Sequence, residues 1–285
     1  MQCSVRNGIS VGVTAFLIAC SGSSEEEPSI SLSLEPYVGR LVVLPVVLDG
    51  DTLSFLFDTG AGETLITPAV AERIGCIPRG RTLGFRMSGE PVEFAYCADV
   101  ILDFAGRSWS HDQIGVWDIG AILPADWPPL GGVLSLRTFL NQPITLDLEN
   151  RLLTLENRLS LAQKTAGMTR LEARVATGTD GSSVTLFVRG QIGPEGWFLL
   201  DSGNLDAVII GPHMISVGAA VPNPGEVFEG RVQLNGLPSV TTSLRVRDII
   251  YDGALSEEFL RLWILTVDLR SGEVWAQAAS SREAA

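Results

Sequence analysis

One six-residue pattern, three apolar residues followed by Asp, a hydroxyl residue and Gly, occurs twice in this chain: Phe55-Leu56-Phe57-Asp58-Thr59-Gly60 and Phe198-Leu199-Leu200-Asp201-Ser202-Gly203. The two aspartates stand 143 residues apart. Each copy continues into an apolar pair, Leu65-Ile66 and Val208-Ile209, and then a proline-initiated turn. A second block repeats downstream. Gly132-Val133-Leu134-Ser135 with Phe139-Leu140 matches Gly253-Ala254-Leu255-Ser256 with Phe259-Leu260, and Thr145-Leu146-Asp147-Leu148 matches Thr266-Val267-Asp268-Leu269, at an offset of 121 except for the Phe-Leu pair at 120. Motifs kept in order across such distances mean two copies of one folding unit. The first copy carries the longer middle, which holds Cys76, Cys97 and the stretch from Trp109 to Pro129.

The segments around the motifs read as β-structure. Leu41–Leu48, Thr52–Phe57, Ile144–Leu148, Val184–Val188, Trp197–Leu200 and Ile264–Leu269 are short runs rich in β-formers, punctuated by Asp49-Gly50, Gly193-Pro194, Asn235-Gly236 and Ser271-Gly272. Helices are few and short. Thr67 as N-cap, Pro68 at the first helical position and Gly75 past the end predict two turns over Ala69–Ile74. Strands spaced this way predict an all-β sandwich or barrel, not a parallel sheet wound with helices.

An aspartate at a strand end, followed by a hydroxyl and a glycine, presents its carboxylate on a tight turn; singly, this is an ordinary turn signal. Doubled, it predicts more. If the units pack about a pseudo-twofold axis, Asp58 and Asp201 meet, share one proton and titrate apart. The charged member draws a proton from water while the neutral member donates to a carbonyl, which is general acid–base hydrolysis.

With Asp58-Thr59-Gly60-Ala61, Asp201-Ser202-Gly203 and the downstream apolar block in hand, the chain resembles the retropepsin-like and pepsin-like aspartic peptidases, over about residues 37–278. The resemblance implies two similar closed-barrel-like β lobes on one chain, related by a pseudo-twofold axis, in a monomeric pseudo-dimer without a cofactor. It implies Asp58 and Asp201 as catalytic dyad, Thr59 and Ser202 as interlocking hydroxyls beneath it, Gly60 and Gly203 as turn residues, and a peptide or protein as substrate. It also implies a flap over the cleft; Leu83-Gly84-Phe85-Arg86-Met87-Ser88-Gly89 is the candidate, with Gly84, Phe85, Met87 and Gly89 as its characteristic residues, an ordinary surface hairpin being the alternative. The chain departs from the family where Ser135 and Ser256 replace the glycine of the downstream block, and where Asn204 stands in place of a smaller residue. A non-catalytic peptide-binding protein of the same fold is the competing reading, since fold does not imply activity.

The N-terminus predicts an address. Residues 1–19 carry Arg6 as their only charge and an apolar run from Ile9 to Ala19, too short to span a bilayer. The run ends Leu17-Ile18-Ala19-Cys20, which resembles a bacterial lipobox with Cys20 as the lipidated residue. This predicts an exported lipoprotein of the cell envelope, with Ser21 after the cysteine directing it to the periplasmic face of the outer membrane and the lipid as its only anchor. The domain expectation is therefore a signal peptide over 1–19, a flexible tether over 20–36, lobe one over 37–158 and lobe two over 159–280. In an oxidising compartment Cys76 and Cys97 form a disulfide or remain two buried thiols; both readings stand at this stage. A net charge of −13 argues against nucleic acid. With only His111 and His213, read as isolated surface or helix-start residues, no metal site is expected. The six tryptophans read as core or cleft wall, with Trp117 and Trp127 in the lobe-one insertion. Asp147 and Asp268 read as groups that bond nearby backbone.

Overall fold

The computed structural model describes residues 28–279 except 179–180, 216–222 and 224, so Cys20 and the signal peptide expected over 1–19 lie outside the described residues. The first half contributes β1 (Ile30–Ser33), β2 (Glu35–Pro36), β3 (Val42–Leu48), β4 (Asp51–Phe57), β5 (Leu65–Ile66), α1 (Pro68–Arg73), β6 (Arg79–Phe85), β7 (Pro91–Phe104), β8 (Arg107–Val116), β9 (Gly132–Leu134), β10 (Ile144–Asp147) and β11 (Leu152–Leu155). After α2 (Arg158–Thr165) come β12 (Thr169–Leu171), β13 (Ala173–Thr177), β14 (Val184–Gln191), β15 (Glu195–Leu200), β16 (Val208–Ile210), β17 (Val227–Leu234), β18 (Val240–Val246), β19 (Gly253–Leu255), α3 (Glu257–Leu260), β20 (Trp263–Asp268) and β21 (Glu273–Ala278). Among the described residues no helix is long and apolar enough to cross a membrane.

The internal repeat becomes two closed barrels. In lobe one the hydrogen-bonded order β3-β4-β9-β5-β8-β7 returns to β3 through the Val47–Asp103 pair. In lobe two the order β14-β15-β19-β16-β18-β17 returns to β14 through Gly190–Leu234 and Gln191–Gln233. The correspondence extends to register. Phe55–Phe57 run parallel to Gly132–Leu134, and Phe198–Leu200 run parallel to Gly253–Leu255. The two repeated sequence blocks of each lobe are thus neighbouring strands. Alternation turns Val184, Leu186 and Val188 of β14 into the barrel, and Phe55, Phe57, Phe139, Phe198 and Phe259 fill the interiors.

A third sheet, ordered β1-β11-β10-β20-β21-β12, is built from both halves. At its centre β10 pairs antiparallel with β20, Thr145 opposite Thr266 and their hydroxyls 2.9 Å apart. These threonines are counterparts in the repeat, so the pseudo-twofold axis passes between them. Their flanking residues, Leu146 opposite Leu265 and Ile144 opposite Val267, obey the same operation.

Two expectations need correction. The stretch expected as free tether is structured from Ile30 onward, because Ile30, Leu32 and Leu34 alternate toward the core while β1 pairs with β11 and β2 with β3. His111 is not on the surface. It is 5% exposed, in β8 opposite Val100, and burial followed by the nearby Arg137 charge lowers its pKa to about 4. His213 does lie in a helical turn, Pro212–Met214, exposed and paired with Asp252 at 2.9 Å. The remaining local readings agree with the structure. Thr67 Oγ1 accepts the Val70 N–H to cap α1, Asp147 accepts from Asn150 N–H at 3.0 Å, and Asp268 accepts from Arg270 N–H at 3.1 Å.

Candidate active site

The dyad is assembled from two strand ends. β4 and β15 each finish against the partner block, Asp58 N–H donating to Leu134 O and Asp201 N–H to Leu255 O, both at 3.0 Å. Four buried hydrogen bonds then lock the loops together across the lobes. Thr59 Oγ1 donates to Leu200 O (2.8 Å) and accepts from Ser202 N–H (3.0 Å); Ser202 Oγ donates to Phe57 O (3.1 Å) and accepts from Thr59 N–H (3.0 Å). Each hydroxyl is consumed on both sides, so neither is free to act as a nucleophile.

This lock sets each acid against the opposite loop: Asp58 Oδ1 accepts the Gly203 N–H of lobe two at 3.2 Å, and the Asp58 charge acts on Asp201. It also explains both glycines: a Cβ on Gly60 would come within 3.0 Å of the Asp201 carboxyl, and one on Gly203 would come within 2.6 Å of both Asp58 oxygens. The space a side chain would occupy is taken by the opposite acid.

The two acids differ electrostatically. Burial raises both. Against that, Asp58 Oδ1 accepts three backbone N–H bonds, from Gly60 (2.8 Å), Ala61 (3.2 Å) and Gly203 (3.2 Å), and the neighbouring Asp201 carboxyl lowers its pKa as well, so its charged form is favoured. Asp201 is 7% exposed and held well above the carboxylate range, first by burial and then by the Asp58 charge. Asp58 is therefore the member that ionises first, and Asp201 the one that keeps the shared proton.

The surroundings break the symmetry further. Behind the lobe-one loop, Thr64 Oγ1 bonds both Ser135 Oγ (3.1 Å) and Thr138 Oγ1 (2.7 Å). The lobe-two counterparts of Thr64 and Ser135 are Ala207 and Ser256, and Ser256 Oγ is buried with no hydrogen-bond partner among the described residues. Asn204 accepts Asp206 N–H on its side-chain oxygen (2.9 Å) and Glu257 N–H on its backbone carbonyl (3.0 Å), while its Nδ2 is buried with no hydrogen-bond partner among the described residues.

The β6–β7 hairpin, the flap candidate, turns at Arg86–Glu90 and reaches lobe two, where Ile250 N–H donates to Met87 O at 3.0 Å and Ile250 packs against Gly89. Gly84 lies under the Phe94 ring, whereas Phe85 is 63% exposed. Next to Ile250, Tyr251 packs edge-on against Phe187 with centroids 5.1 Å apart, and its hydroxyl is held up in pKa by burial and then by the Asp201 charge. Neither Ile250 nor Tyr251 stands out in the sequence; their position just before the repeated Gly253 block, opposite Pro129 and Leu130 of lobe one, is the signal that could have found them. On the other flank Trp117 and Trp127 join Ile119, Leu130 and Tyr37 in an apolar cluster that reaches Ala61 of the Asp58 loop. Cys76 and Cys97 are bonded, their Cα atoms 6.0 Å apart.

Comparison with known proteins agrees with this geometry. The family model described as aspartyl protease matches residues 44–97, a span that includes the Asp58 loop and the hairpin. No curated protein matches the chain by sequence. Among 408 matching chains of solved structures are basic 7S globulin from soybean and conglutin gamma, a basic 7S globulin from lupine seeds. The soybean protein has a TM-score of 0.56 at 9% identity and the lupine protein 0.55 at 10%, each alignment covering 90% of this chain and 96% of the other. At such identity the likeness is one of fold.

Proposed function

We propose that this chain is an aspartic endopeptidase, anchored to the cell envelope through a lipid on Cys20. The observation that carries the reading is the cross-lobe lock of Thr59 and Ser202, which sets Asp58 and Asp201 against each other's loops with Asp58 favoured as the anion and Asp201 as the proton donor. In the proposed reaction Asp58, ionised, takes a proton from a water held between the acids as its oxygen attacks the scissile carbonyl, and Asp201 donates to the carbonyl oxygen. The proton gained by Asp58 then passes to the leaving nitrogen as the C–N bond breaks, and Asp201 recovers its own. No covalent intermediate forms, in keeping with the full engagement of Thr59 and Ser202.

The test is cleavage of an unfolded protein substrate by the wild type, Asp58→Asn and Asp201→Asn. Loss in both variants with a melting temperature no lower than the wild type's supports the reading; full activity in either overturns it, and peptide binding without cleavage by the wild type replaces it with a binding role. Activity should fall on the alkaline side as Asp201 gives up its proton, and that limb should lie above the ordinary carboxylate range because its pKa is raised. Anchoring is read from detergent-phase partitioning of the full chain, lost in Cys20→Ala.

A further inference from the structure

The disulfide closes a loop with a particular content. Between Cys76 and Cys97 lie all of β6, the Arg86–Glu90 tip and the first half of β7, which is the flap-candidate hairpin. The β6 arm of the hairpin has little else to hold it, whereas β7 is paired with β8 from Ala95 onward and Tyr96 bonds Glu63. β6 is the outermost strand of its sheet, bonded to β7 alone, and its register slips between Arg79 and Thr82, at the point where the chain enters it. The tip is tied to lobe two by the Ile250 N–H to Met87 O bond, which bridges the cleft that a substrate must enter.

The two sulfurs differ in access. Cys97 is 1% exposed, within β7 and opposite Ile114. Cys76 is half-buried in an open depression lined by Pro68, Ala71, Glu72, Gly75 and Ile77, the last of these 76% exposed. Exchange requires a thiolate to reach one sulfur in line, and only the Cys76 side offers that approach.

Resting on the peptidase reading above, we propose that the Cys76–Cys97 bond is a redox-cleavable brace of the hairpin, opened by a dithiol from the Cys76 side. One thiolate of the dithiol attacks Cys76 Sγ; the protein disulfide breaks and Cys97 leaves as a thiolate that takes up a proton. The second thiolate then attacks the reductant's own sulfur in the mixed disulfide, releasing Cys76. Two electrons pass to the protein and the reductant ends as a cyclic disulfide. With the brace open, β6 is free to peel from β7 and the tip loses its seat on Ile250. The dyad, locked by Thr59 and Ser202, stays assembled. Reduction therefore weakens substrate capture more than the chemical step.

The experiment is hydrogen exchange on the full chain before and after dithiothreitol, with peptide-cleavage kinetics alongside. Amides of 81–94 should exchange at least about tenfold faster after reduction while those of Thr59, Ser202 and β8 keep their protection. KM should rise about tenfold with kcat within about twofold, and reoxidation should reverse both. The Cys76→Ala/Cys97→Ala variant should behave as the reduced protein. Hairpin protection unchanged by reduction overturns the brace, as does loss of protection throughout the barrel. Absence of cleavage in both redox states strikes at the peptidase reading alone, because the exchange measurement still decides the brace.

Discussion

Replacing Thr59 with Val removes one hydroxyl at nearly constant shape, and the structure says which groups are left behind. Leu200 O loses the donor at 2.8 Å and Ser202 N–H loses the acceptor at 3.0 Å, both at a site where Thr59 is 3% exposed and Ser202 1%. A buried polar group left unpaired costs about 1–3 kcal/mol, so two cost about 2–6 kcal/mol. Against a typical total of about 5–15 kcal/mol this is a large loss. It should lower the melting temperature by at least about 4 °C in a chain of this size. Thr59→Ser keeps the hydroxyl and should cost less than about 1.5 kcal/mol, the price of a methyl group. Urea denaturation followed by tryptophan fluorescence reads both variants. Ser202→Ala breaks the other two bonds of the lock, and combined with Thr59→Val it should cost less than the two changes separately, since the loops part after the first. A Thr59→Val variant within about 0.5 kcal/mol of wild type, or one no worse than Thr59→Ser, would refute the claim that these bonds hold the lobes together.

Gly203→Ala should be worse than a typical glycine-to-alanine change, because its Cβ would come within 2.6 Å of the Asp58 oxygens; cleavage should fall sharply while the far end of lobe two keeps its exchange protection, and normal activity would contradict the close packing. His111 has a folded pKa lowered from 6.5 to about 4, so it stabilises the fold above pH 6.5 and that stability is lost as pH falls toward 4. The loss should approach roughly 3 kcal/mol, and His111→Gln should flatten the acid limb of a melting-temperature profile; an unchanged limb would show that other groups set it. Asp201 carries the opposite sign, since its raised pKa favours folding below the ordinary carboxylate range and that contribution is lost as pH rises. Asp201→Asn should accordingly gain stability relative to wild type between pH 4 and pH 7, as read by denaturation at both values, and a constant difference would mean the acid is not desolvated.

What was legible in the amino-acid order was whatever the repeat stated locally. The strand ends carrying Asp58 and Asp201, the helix capped by Thr67 and the correspondence of the two downstream blocks follow from motif order and alternation. What depends on distant partners was not legible. The closure of lobe one through Val47 and Asp103 joins residues whose proximity no local pattern reports. Ile30 and Leu32 alternate correctly for a strand, but the polar residues around them read as tether until β11 is present to pair with β1. His111 faces inward because β8 pairs with β7 in one register, and a slip of one residue would have turned it to solvent. The bond between Cys76 and Cys97 needed the fold to bring the end of α1 beside β7. Ile250 needed Met87 and Gly89 of the opposing lobe before its contact across the cleft existed.

The mismatch between Thr64–Ser135 on one side and Ala207–Ser256 on the other reaches beyond packing. An acid pair built from two copies of one gene product must change both partners at every mutation, so any adjustment to one carboxyl is imposed on its twin. Here each half mutates alone. Selection can tune donor and acceptor separately, and protein engineers can do likewise, altering the neighbourhood of Asp201 while leaving that of Asp58 as it was.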